Sequence, residues 1–116
     1  MAKKKAYPAT GLTECETEIM LTIWKYGKDI STLNLIKNYN EEYGKGYARS
    51  TVVTLLNRMM DKGFISTYKV GRESFIHPEK TRESYADYLL QKYIKTWYDG
   101  DASKLVEALK ASGVLA

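Results

Sequence analysis

The chain has 116 residues, 44% of them apolar and 28% charged, with a net charge of +4 and a single cysteine. That length allows one domain, or one small domain with an appended element, and a modest core. It excludes a second full domain. No segment approaches the roughly 18 to 20 continuous apolar residues of a membrane span, and the basic start MAKKKAYPATG leads into no apolar signal-peptide core, so a cytoplasmic protein without membrane partners is expected.

The first helix signal is LTECETEIMLTIWKYG. Thr13 followed three residues later by Glu16 is a capping box, in which each side chain satisfies a backbone N–H of the other residue. Ile19, Met20, Ile23 and Trp24 then share one face, and Gly27 supplies a left-handed stop. Cys15 lies on this helix and reads as a small buried or half-buried side chain. With His77 as the only histidine, neither a disulfide nor a zinc site can be assembled. The segment DISTLNLIKNYNEEYG offers Ser31 as cap, a buried stripe of Leu33, Ile36 and Tyr39 or Tyr43, and Gly44 as terminator.

After the tight link GKG, a third helix carries Val52, Leu55, Leu56 and Met59 at helical spacing and ends at Gly63. Its opposite face presents Ser50, Thr54, Asn57 and Asp61. The period then changes to two. FISTYKV, a turn at Gly71-Arg72 and ESFIHP alternate as two short strands, and Pro78 ends the second. Three helices followed at once by a basic-tipped hairpin describe a winged helix-turn-helix, assigned to residues 1–78. From Glu79 the chain turns helical again: Ala86, Leu89, Leu90, Tyr93, Ile94 and Trp97 trace one stripe. Gly100 breaks it, and a short helix capped by Asp101 presents Leu105, Val106 and Leu109. Residues 79–116 therefore read as a helical dimerisation region, the partner being a second copy of the chain. The alternative is that this helix folds back onto the head as monomer core.

Chemistry for an enzyme is missing: no glycine-rich phosphate loop follows a strand, no nucleophile motif appears, and no cofactor or metal site is expected. Charge points elsewhere. Residues 1–44 hold six basic and six acidic side chains, residues 45–82 eight against three, and residues 83–116 four against five. All the surplus falls in the middle segment, which includes the third helix and the hairpin, as expected if one face there meets phosphate. In a helix-turn-helix the second helix of the pair enters the major groove with its N-terminal residues at the base edges. Arg49 suits guanine acceptors or a phosphate, and Ser50, Thr51 and Thr54 suit bases or phosphates. Arg58 fits the flanking backbone, Tyr47 a phosphate through its hydroxyl, and Lys69 and Arg72 at the wing tip the adjacent groove. The bland readings are that Thr51 caps its own helix, Thr54 is a neutral surface residue and Tyr47 is core. A competing function is a winged-helix module that docks on a protein and never touches DNA, which would require an exposed apolar patch on the third helix.

In order and spacing, LTECETEIMLTIWK, ARSTVVTLLNRMMDKGFI, GRESFIHPEKTRESY and WYDGDASKLVEAL resemble the penicillinase-repressor (BlaI/MecI) family of winged-helix repressors over nearly the whole chain. The resemblance implies a homodimer on a palindromic double-stranded DNA operator that represses neighbouring genes, in β-lactam resistance or, in a related branch, copper homeostasis. It implies that the positions of Ser50, Thr51, Thr54 and Arg58 approach DNA and that the tail helices form the dimer. Three departures stand out. The copper branch's cysteine-rich motif is absent. The helix in which a sensor protease cuts family members has Ala108-Leu109 in place of Asn-Phe. The family's usual last helix has no counterpart where the sequence runs to SGVLA, so a weaker or differently arranged dimer is expected.

Overall fold

The computed structural model describes residues 11–115, and the basic start MAKKKAYPAT, with the expectation attached to it, lies outside them. The elements run α1 (Glu14–Tyr26), β1 (Ile30–Ser31), α2 (Thr32–Tyr43), α3 (Arg49–Asp61), β2 (Ile65–Val70), β3 (Glu73–Pro78), α4 (Arg82–Trp97) and α5 (Ala102–Ser112). They fall into two units, Met1–Thr81 and Arg82–Ala116.

In the first unit the local signals act as the sequence dictates. The Thr13 hydroxyl accepts from the Glu16 N–H at 3.2 Å, while Glu16 Oε1 accepts from the Thr13 N–H at 2.9 Å, so two orphan donors of α1 are satisfied together. Gly27 closes α1 at φ +83° with its N–H on the Trp24 carbonyl, a conformation that a Cβ would strain. Ser31 caps α2 through the Asn34 N–H. The core is then assembled from α1, α2, α3 and the sheet: Ile19, Met20, Leu35, Tyr39, Val52, Met59, Phe64 and Ile76 are all fully buried.

Hydrogen-bond order in the antiparallel sheet is β1-β3-β2. The hairpin pairs Ile65 with Pro78 through to Val70 with Glu73. Its two-residue connection places Gly71 at φ +64°, as a primed hairpin turn demands. Three helices and this small sheet make a winged helix-turn-helix.

The structure corrects three details. β1, only two residues long, was not anticipated; it pairs Ile30 with Ile76 and Ser31 with Phe75. The buried stripe of α2 runs through Thr32, Leu35 and Tyr39, with Ile36 half-buried, whereas Leu33 is 57% exposed. Pinning Ile30 and Ser31 to the sheet sets the roll of α2, which turns the Leu35–Tyr39 row inward and leaves Leu33 outside. Finally, the chain remains with the head to Thr81 instead of turning helical at Glu79. The Glu79 N–H donates to the Phe64 carbonyl at 2.8 Å, and the Trp24 indole N–H donates to the Lys80 carbonyl at 2.8 Å.

In the second unit α4 ends at Trp97. α5 is capped by Asp101, whose carboxylate accepts from the Ser103 N–H at 2.9 Å. Gly113 terminates α5 in the left-handed region.

Candidate nucleic-acid interface

α3 is seated by its apolar side. Val52, Leu56 and Met59 are buried, Leu55 is half-buried, and Ser50, Thr51, Thr54, Asn57, Arg58 and Asp61 are exposed. At its far end, Lys62 Nζ donates to Glu16 Oε1 at 2.6 Å and to the Gly11 carbonyl at 2.8 Å. The Glu16 side chain has no exposed surface. Burial pushes its carboxyl up, but the Lys62 ammonium and the Thr13 N–H outweigh that and hold it below the ordinary value. This ion pair ties the last turn of α3 to the first turn of α1.

The front of α3 is left open. Its N-cap is Ala48, and no side chain caps the helix, so Thr51 does not cap it and keeps its hydroxyl for another partner. Thr54 Oγ1 donates to the Ser50 carbonyl at 3.0 Å, which leaves its oxygen lone pairs and methyl facing out. Just before the helix, Tyr47 is half-buried. Its N–H and carbonyl are both held by the Asn40 side chain at 3.0 Å, its ring centroid lies 6.1 Å from that of Tyr39, and its hydroxyl is 4.0 Å from Cys15 Sγ. Tyr47 thus anchors the start of α3 to α1 and α2. Tyr39 donates to Glu18 Oε1 at 2.9 Å. Burial, then the Glu18 carboxylate, push its phenol far above the usual range.

Between α3 and the hairpin lies an open groove. Arg49, Val53, Asn57 and Met60 line it from one edge of α3, Thr67, Lys69 and Arg72 from the hairpin, and Thr32 and Leu33 from the start of α2. The structure therefore brings Arg49, Lys69 and Arg72 to one groove, while Ser50, Thr51, Thr54 and Arg58 occupy the adjoining outer face of α3. None of Arg49, Arg58, Lys69 and Arg72 takes part in an ion pair among the described residues. By contrast Lys25, Lys45 and Lys62 are each matched to a glutamate. Unmatched cations around a groove lined with hydrogen-bonding side chains suit a polyanion.

Asn57 is the residue that sequence reasoning placed on the right face without giving it a role. It is exposed, lies seven positions after Ser50 and lines the groove; the spacing alone could have flagged it. Asp29 was missed altogether. Its Oδ2 accepts from the Tyr68 hydroxyl at 2.6 Å and its Oδ1 is 2.8 Å from His77 Nδ1. The Tyr68 hydroxyl, and after it the His77 ring, hold the Asp29 carboxyl low, while the same contact holds the His77 imidazole above its ordinary value. No local motif announces a contact that spans 39 and 48 positions.

In the second unit Ala86, Leu89, Leu90, Tyr93 and Trp97 are exposed, Leu89 by 45% and Trp97 by 69%. Ile94 is buried, Leu105 and Leu109 are half-buried, and Val106 is exposed. Among the described residues no cluster of His, Cys, Asp or Glu could hold a metal ion, and no helix is long and apolar enough to cross a membrane.

Known proteins resemble this chain in sequence and fold. The family model described as penicillinase repressor matches residues 12–115. The penicillinase repressor of Bacillus licheniformis is 25% identical over 95 residues, which span 82% of this chain and 72% of that protein. The solution structure of the DNA-binding domain of the repressor BlaI superposes with a TM-score of 0.58 at 28% identity, covering 72% of this chain and 94% of that one.

Proposed function

Because the chain belongs to the penicillinase-repressor family, whose members are DNA-binding repressors and not enzymes, we propose that it represses transcription as a homodimer, each protomer setting α3 into one half of a palindromic operator. One observation carries this reading: the outer face and wing-side edge of α3 are polar and exposed, and the Arg49 edge shares a groove with Lys69 and Arg72 of the hairpin. Base edges would be met by Arg49, Ser50, Thr51 and Thr54, the flanking phosphates by Arg58, and the neighbouring groove or its phosphates by the wing. Tyr47 serves by holding the start of α3. Docking of this helix on a protein partner is disfavoured, since its outward residues are polar where such a partner would need apolar surface.

The exposed stripe of α4 supports the twofold arrangement, because Leu89, Leu90, Tyr93 and Trp97 form the kind of contiguous apolar surface that oligomers cover. The target genes follow from the operator; control of a penicillinase, as in the Bacillus licheniformis relative, is one assignment to compare with it. Selection of bound duplexes from a random pool, followed by salt titration of the winner, tests the reading. The expected result is two half-sites related by a twofold axis and affinity that falls steeply with salt as phosphate contacts release counterions. Arg49→Ala and Thr54→Ala should each weaken specific binding by about 1–3 kcal/mol while leaving the melting curve in place. No enrichment of any sequence would refute it.

A further inference from the structure

Asp29 lies at the end of the link from Gly27 that joins α1 to β1. Each of its carboxylate oxygens contacts a different strand of the hairpin: Tyr68 of β2 at 2.6 Å and His77 of β3 at 2.8 Å. The Tyr68 ring is itself held flat against Phe75, with centroids 5.7 Å apart and planes 17° from parallel. The ladder gives β2 a single strand neighbour, β3, and β1 supports β3 at only two positions. A two-stranded ribbon held this way twists and bends readily. Nearer the base, Thr67 Oγ1 of β2 donates to Met60 Sδ of α3 at 3.7 Å. The carboxylate therefore ties β3 near the base of the ribbon, at His77, to β2 at Tyr68, one residue before Lys69 and four before Arg72.

We propose that Asp29 is a positioning residue for DNA binding: by holding Tyr68 and His77 together it fixes the wing at the angle from which Lys69 and Arg72 reach phosphates. The inference rests on the reading of α3 and the wing as a DNA surface. Its sign is opposite to that of simple charge. Asp29 is an anion on the hairpin side of the molecule, so removing it should tighten DNA binding if only electrostatics acted. Loss of a brace should weaken binding instead, and should remove wing contacts from the salt dependence, each phosphate contact contributing about 0.9 to its slope.

The full chain is titrated with a random-sequence duplex and with the duplex it selects, over a range of salt, as wild type, Asp29→Ala, Tyr68→Phe and, as a charge control, Glu73→Gln. Glu73 is an exposed wing carboxylate that lines the groove, and its removal should tighten binding. For Asp29→Ala the expected result is binding roughly tenfold weaker, the size of about one lost hydrogen-bonded anchor. The salt slope should shrink, and strand-cleavage protection should vanish at the wing's flank while persisting under α3. Tyr68→Phe changes no charge and should move the same way by less. The pH profile adds a readout that a merely structural role would not move. The titratable groups acting on His77 are Asp29 and Glu79, and Tyr68 shares the Asp29 carboxylate. His77 is held above its ordinary value chiefly by Asp29, so wild-type binding should weaken as pH rises through that raised value, and the midpoint should fall toward about 6.5 in Asp29→Ala. Melting curves verify that each variant is folded. Tighter or unchanged binding by a folded Asp29→Ala variant with an undiminished slope overturns this inference alone; a wild-type chain that binds neither duplex overturns it together with the reading beneath it.

Discussion

The head and the tail carry the same apolar pattern with opposite outcomes. Ile19, Met20 and Ile23 on α1 are all but fully buried, while Leu89, Leu90, Tyr93 and Trp97 on α4 are between 45% and 69% exposed. Both rows recur at three-four spacing, and both helices have well-formed neighbours in sequence. Periodicity reports which side chains are suited to burial; what covers them depends on whether enough chain remains nearby to do it. Around α1 the chain returns as α2 and α3, which the hairpin strands cover in turn. The second unit contains only one further helix, so much of its apolar row faces outward and a second copy is the proposed cover. Disrupting the head should therefore unfold it, whereas disrupting the tail should separate molecules that remain folded.

The largest effect is expected in the head, at Lys62→Met. The substitution leaves the fully buried Glu16 carboxylate without its ammonium, which costs about 3–5 kcal/mol when one partner of a buried pair is removed. In the wild type, Glu16 has a lowered pKa. Its contribution to stability is thus present above the unfolded value and is lost as pH falls through the folded one. In the variant the lowering by Lys62 is lost and the folded value rises, so the penalty should be greatest near neutrality and shrink on acidification. Denaturant melts at pH 7 and at pH 4 check both parts. A variant as stable as the wild type at pH 7 would mean that the head does not depend on this pair, and the contrast with the tail would blur.

Much of this organisation was legible from local rules. The capping box at Thr13, the left-handed stop at Gly27, the cap at Ser31, the turn at Gly71 and the cap at Asp101 each follow from a few adjacent residues whose hydrogen-bonding needs are local. Long-range features were not. The strand Ile30–Ser31 is too short to show a period, and it exists because β3 offers it a ladder. Leu33 and Leu35 are equally apolar, and only the roll imposed by β1 decides between them. Of the candidate interface, the outer face of α3 could be read from its spacing. That Arg49 and Arg72 line one groove, that Tyr47 points toward Cys15, and that Asp29 meets Tyr68 and His77 are facts of tertiary folding.

A smaller effect on folding, with a clear effect on assembly, is expected at Leu89→Asp in α4. Leu89 is 45% exposed, so replacing it removes little buried surface within one chain, and thermal unfolding of the head should stay within about 0.5 kcal/mol of wild type. A charge set into a covered twofold interface would be desolvated without a partner, and the sedimenting mass should fall to that of a single chain. An unchanged mass would count against the tail as the dimer contact. Loss of folding instead would mean that this row is monomer core after all, and the comparison with α1 would lose its point.

The smallest effect lies at the two helix caps, which test whether local signals act alike in both regions. Thr13 in the head closes a reciprocal box over a helix that is also held by the core. Asp101 in the tail accepts from both the Ser103 N–H and its hydroxyl, at 2.9 and 2.6 Å, on an exposed helix with no fully buried residue. The Ser103 contacts hold the Asp101 carboxyl below its ordinary value, so the cap is strongest above the unfolded value and weakens as pH falls through the folded one. Asp101→Ala should speed hydrogen exchange at the first amides of α5, those of Ser103 and Lys104, at neutral pH. It should leave exchange in α1 untouched, and the difference from wild type should close in acid. Exchange that accelerates throughout α4 as well would show that the cap supports the whole tail, making the second unit more cooperative than its exposed surface suggests.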